Sequence, residues 1–87
     1  NFLSKMYEEL CLKNIILIDG EYYLLSTVEI IPNMCYHPYE TALFAIKNNK
    51  VIYKYLYCEK YYDRQEAIER HETLLKKLER GERVWKK

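Results

Sequence analysis

The chain has 87 residues, 14 Lys plus Arg against 13 Asp plus Glu, and a formal charge of +1. That is one small domain, and its charge balance argues against a dedicated duplex-DNA binder, which carries a clear basic excess. Apolar residues make up 49% and charged ones 31%, which excludes a disordered tail. The outlier is tyrosine, ten residues beside two Phe and one Trp.

No run of 18 apolar residues occurs, so no spanning helix is expected. No basic segment leads into an apolar one at the start, so no signal peptide is visible, although the first residue is Asn and not Met. Three widely spaced cysteines, Cys11, Cys35 and Cys58, do not make a disulfide framework. Reduced thiols and a cytoplasmic location are the simpler expectation. Abundant Lys, Asn, Ile and Tyr point to an AT-rich coding sequence and hence a low-GC bacterium or its phage.

Residues 2–13 read as a short helix, with Phe2, Leu3, Met6 and Leu10 at helical spacing and Asn14 as its stop. Residues 15–18 read as a strand. Asp19-Gly20 is a strong hairpin signal, and residues 21–31 form the return strand up to Pro32. Of its two faces, Tyr22, Leu24, Ser26, Val28 and Ile30 make the better core set. Residues 33–39 form an irregular loop, in which Pro38 biases His37 toward an extended conformation. Residues 40–47 are a third strand with Ala42, Phe44 and Ile46 on one face. Asn48-Asn49 turns the chain into a fourth strand, residues 51–58, where Val51, Tyr53, Tyr55 and Tyr57 share a face. Residues 63–80 are the firmest element: Asp63 caps, Glu66 follows three residues later, and Ala67, Ile68, His71, Leu74, Leu75 and Leu78 form an apolar stripe. Gly81 is the expected terminator, and Val84 and Trp85 are expected to fold back onto the domain. The expectation is one α+β domain over residues 1–87. A four-stranded, mainly antiparallel sheet is packed by the C-terminal amphipathic helix, with a short N-terminal helix ahead of it.

The segment Tyr39-Glu40-Thr41-Ala42-Leu43-Phe44, the step from Lys60 to Tyr61 or Tyr62 and Glu66-Ala67-Ile68-Glu69-Arg70-His71 resemble motifs of small uncharacterised proteins from phages and prophages of Gram-positive bacteria. Glu21 to Val28 is similar to their Tyr-x-Leu-Ser-Thr-Val strand, with one extra residue inside it. Arg70 stands where those proteins carry Gly before the His. The resemblance covers roughly residues 20–80 and implies a source class but no activity.

Catalytic spacing is absent. There is no Gly-x-Ser-x-Gly elbow and no glycine-rich phosphate loop, so no enzyme activity and no cofactor are expected. A hydrolase built on His71 and Glu40, or on Ser26 or Cys35 with a histidine, is a minor alternative. His71 reads more simply as a buried residue that fixes the helix on the sheet. Cys35, His37, Cys58 and His71 carry zinc donor atoms, but their spacing is wrong for a zinc site, so no metal is expected. The tyrosines are the best lead. Tyr pairs an apolar ring with a polar tip and favours protein interfaces. His37, Tyr39, Tyr53, Tyr55 and Tyr57 are therefore the candidate binding residues for a protein partner, either a host factor or a second copy of the chain. The alternative is a single-stranded nucleic acid or nucleotide stacked on the same rings, with Lys50, Lys54 and Lys60 beside them.

Overall fold

The computed structural model describes residues 9–30 and 38–85. Four strands follow one another along the chain: β1 (Cys11–Ile18), β2 (Glu21–Glu29), β3 (Tyr39–Lys47) and β4 (Lys50–Tyr61). They lie in the same order in one sheet, every neighbour antiparallel. A single helix among the described residues, α1 (Arg64–Glu79), crosses one face. The α+β architecture is as expected. Of the expected N-terminal helix, residues 2–8 lie outside the described residues, and residues 11–13 belong to β1. The short apolar run there suits either element, and pairing with Val28, Thr27 and Ser26 makes it a strand.

Local chemistry sets the turns. Asp19 and Gly20 have φ of 50° and 79°, Asn48 and Asn49 of 52° and 62°. Both hairpins thus have two central residues in the left-handed region, the geometry that matches the twist of the flanking strands. Asn tolerates this conformation, but glycine adopts it with no Cβ penalty. Asn49→Gly is therefore expected to raise stability by about 0.5 kcal/mol, read as a higher urea midpoint at unchanged slope.

The helix ends are equally local. The Asp63 carboxylate accepts from the Glu66 backbone N–H at 3.0 Å. At the other end Gly81, at φ 83°, closes a Schellman motif: its N–H bonds the Leu78 carbonyl, and the Glu82 N–H bonds that of Lys77. The chain then turns back. Trp85 packs on Tyr23 with ring centroids 4.9 Å apart, Arg83 lies over the Trp85 ring, and its guanidinium reaches Asp19 at 3.1 Å.

The core lies between sheet and helix. Ala67, His71, Leu74 and Leu78 are the buried stripe of α1. Leu74 and Leu78 pack with Ile16, Ile18, Tyr23, Leu25 and Leu43. A second cluster joins Leu10, Tyr61 and Ala67, with Tyr39 against it. The covered face of β2 is thus Tyr23, Leu25 and Thr27, the opposite of the expected set, and Tyr22 is exposed. Both sets are apolar enough to be covered. The choice falls on the side where Thr27 finds His71 and where Glu29 lies 3.6 Å from Arg64 at the start of α1.

The pairing of β3 with β4 breaks once. Leu43 pairs with Tyr57 and Ala45 with Ile52, so Phe44 alone faces the four residues Tyr53 to Leu56. The surplus inverts the alternation downstream. Leu56 and Tyr57, though adjacent, both pack against the helix-side core. The single face expected for Tyr53, Tyr55 and Tyr57 is therefore split.

Candidate functional site

The face of the sheet opposite α1 is bare among the described residues. Strand alternation and register place Ile15 and Leu17 of β1, Tyr22 and Leu24 of β2, Phe44 and Ile46 of β3, and Val51, Tyr53 and Tyr55 of β4 upon it. Leu24, Ala42 and Phe44 are buried there as a small cluster, with Ile46 and Val51 against it. Around them the large apolar side chains stand out: Tyr53 is 79% exposed, Ile15 66%, Leu17 57% and Tyr55 57%. Between Ile15, Tyr22, Ile46, Asn49 and Val51 lies a shallow depression of about 420 Å³.

Phe44 organises the aromatic end. Its ring meets Tyr53 edge-on at 5.3 Å and stacks on Tyr55 at 5.4 Å. These are the arrangements that aromatic quadrupoles favour. The Tyr55 hydroxyl donates to Glu40 Oε1 at 3.0 Å, which fixes the ring's tilt. That hydrogen bond, the Glu40 charge and partial burial raise the Tyr55 phenol above its ordinary value. Burial and the same carboxylate push the nearby Cys58 thiol up, so it is a poorer nucleophile than a free cysteine.

Of the five residues expected to bind, the structure brings only Tyr53 and Tyr55 together on this surface. Tyr57 lies on the helix side, and Tyr39 packs there against Leu10, Tyr61 and Ala67. His37 lies outside the described residues, as do Tyr36 and Cys35. Ile15, Leu17 and Tyr22 belong to the surface and were not singled out in the sequence. The signal for Ile15 and Leu17 is the strand alternation of β1 once its register with β2 is known; Tyr22 belongs to the set of β2 expected in the core, which is the uncovered one.

The other face holds a buried polar chain. His71 is 3% exposed, and Thr27 and Thr41 are fully buried. His71 Nε2 donates to Asn14 Oδ1 at 2.7 Å, which leaves Nδ1 to accept from the Thr27 hydroxyl at 2.7 Å. Thr27 in turn accepts from Thr41 at 2.6 Å. Burial holds the imidazole below its ordinary value, the nearby Glu72 opposing weakly, so the neutral ring fits this chain of donors. Beside it Arg70 grips Glu59 with two bonds, at 3.0 and 2.8 Å, and Tyr61 donates to the same carboxylate. The guanidinium holds the Glu59 carboxyl below its usual range. Burial is the main cause that pushes the Tyr61 phenol up to about 12.

This chain spans β1, β2, β3 and α1 and ties the helix to the sheet. Glu40 and Ser26 lie on the uncovered face and His71 on the covered one, so neither of them meets His71; the pairs that use Cys35 or His37 lie outside the described residues. Among the described residues no three His, Cys, Asp or Glu gather as a metal site. Among the same residues no helix is long and apolar enough to cross a membrane. Compared with known proteins, the chain matches no family model, no curated protein and no solved structure.

Proposed function

We propose that this chain works by binding a protein through the uncovered sheet face, as a small accessory protein of a phage or prophage. The observation that carries this reading is the exposure of Tyr53, Tyr55, Ile15 and Leu17 around a packed apolar floor. An apolar surface of this kind, rimmed by polar groups, is what protein partners cover. Tyrosines already held by Phe44 and Glu40 lose little freedom on binding. The mechanism is steric: the face occupies a surface of the partner, with no chemistry of its own. The Glu40 carboxylate that holds the Tyr55 hydroxyl sets a negative charge beside these rings, against the Lys60 opposite it, and so gives a polyanion such as single-stranded nucleic acid no net basic surface there.

The test is a Tyr53→Ser/Tyr55→Ser double variant whose fold is checked by circular dichroism. In affinity capture from a bacterial host, partners held by the native chain are expected to be lost with this variant. They should be kept with Tyr62→Ser, which removes an exposed tyrosine elsewhere. Equal capture by all three chains would refute the reading. A fluorescence titration with a single-stranded oligonucleotide should stay flat at low salt. Saturable binding that weakens steeply with salt would favour the nucleic-acid reading instead.

A further inference from the structure

The two edges of the sheet are built differently. β4 is guarded: its pairing is interrupted opposite Phe44, and Lys50, Lys54 and Lys60 are spaced along it. Irregular pairing and lysines are how proteins keep edge strands from recruiting other strands. β1 has neither guard. All eight of its residues pair regularly with β2, it holds no proline, and Lys13 is its one charge. Among the described residues no strand lies outside it.

Its outward hydrogen-bonding groups follow from the hairpin. In a two-residue turn the flanking pair, here Ile18 and Glu21, exchanges both backbone bonds. Ile18, Ile16, Asn14 and Leu12 therefore turn their N–H and C=O groups toward β2. Leu17, Ile15, Lys13 and Cys11 turn theirs outward. Two of these residues, Ile15 and Leu17, also carry exposed aliphatic side chains on the uncovered face.

We propose that a second copy of this chain adds to the β1 edge, pairing β1 antiparallel with its counterpart to make one eight-stranded sheet. A two-fold axis normal to the sheet keeps both uncovered faces on one side, so residues of like parity must meet. The register centred on Ile16 sets Ile15 against Leu17 of the second copy, and Lys13 beside Asp19. Asp19 is 74% exposed in its side chain, so it can take a second cation besides Arg83. This register buries aliphatic on aliphatic and pairs opposite charges twice. The register centred on Ile15 instead sets Lys13 against Leu17 and leaves the charges unmatched. The dimer extends the reading above by joining two apolar faces into one. The two readings share Ile15 and Leu17, but two strands separate β1 from the β4 tyrosines, so loss of the dimer in a β1 variant and loss of capture in the Tyr53/Tyr55 variant are read separately.

Light scattering across a concentration series should give twice the 10.7 kDa chain mass at high concentration. Ile15→Pro removes an outward N–H and no bond to β2, and should leave a folded monomer, while Ile15→Thr, which loses the aliphatic side chain but keeps the N–H, should still dimerise. Lys13→Glu, which sets two carboxylates together at each end, should raise the dimer Kd about ten-fold. A native chain that stays monomeric to hundreds of micromolar overturns the proposal, as does a dimer that Ile15→Pro leaves intact. If Ile15→Pro does not fold, amide exchange on the native chain decides. The Ile15 and Leu17 amides should exchange slowly at dimer concentrations and fast on dilution. Fast exchange throughout would overturn it.

Discussion

Replacing His71 with alanine is expected to destabilise the fold by about 3 kcal/mol, the combined effect of a cavity and broken buried hydrogen bonds. Thr27 loses its acceptor where it and Thr41 are shut off from water, and Asn14, at the exposed end of the chain of bonds, loses its donor. Urea denaturation measures this directly. A pH series separates the ring's charge from its bulk. Burial sets the folded pKa below the ordinary 6.5, so the unfolded chain takes up a proton first as pH falls. The histidine's contribution is therefore constant above 6.5 and declines below it, at up to about 1.4 kcal/mol per pH unit, until the folded ring also protonates. Glu59, whose pKa is lowered from 4.5, adds its own loss only at more acid pH. The window between these values isolates the imidazole. His71→Gln should remove the slope there, and an unchanged slope would show that another group titrates.

Leu25→Ala should cost about 3 kcal/mol and Leu24→Ala about half of that. Leu25 is wholly enclosed between sheet and helix, whereas Leu24 sits in the thin layer around Phe44 and is 8% exposed. The larger cavity belongs where neighbours on both sides cannot collapse into it. The two midpoints, taken in the same denaturant, compare the faces without any absolute scale. The reverse order would mean that α1 covers the other side.

That comparison also shows where sequence reasoning stops. The turns at Asp19-Gly20 and Asn48-Asn49, the Asp63 cap and the Gly81 terminator depend on neighbours within a few residues, so they can be read directly from the chain. So can the helix stripe, because its period is unbroken from Ala67 to Leu78. The covered face of β2 is a tertiary choice between two apolar sets, and pattern alone favours the wrong one. Thr27 reads as a surface residue until Thr41 and His71, 14 and 44 positions away, are set beside it. Glu66 to Arg70 has the spacing of a helical ion pair, yet Arg70 pairs with Glu59 on β4. Of the candidate site, the aromatic character was legible and its extent was not. Tyr53 and Tyr55 could be picked out, but Tyr57 was grouped with them because no glycine or proline marks the irregularity between Ile52 and Tyr57.

That irregularity has a consequence for how the protein can vary. β4 behaves as two half-strands in antiphase, joined opposite Phe44. The first half presents Tyr53 and Tyr55 outward; the second supplies Tyr57, Glu59 and Tyr61 to the helix side. A change in one half does not touch the duty of the other. The surface that would meet a partner is thus free to drift in sequence while the contacts that seat the helix stay fixed.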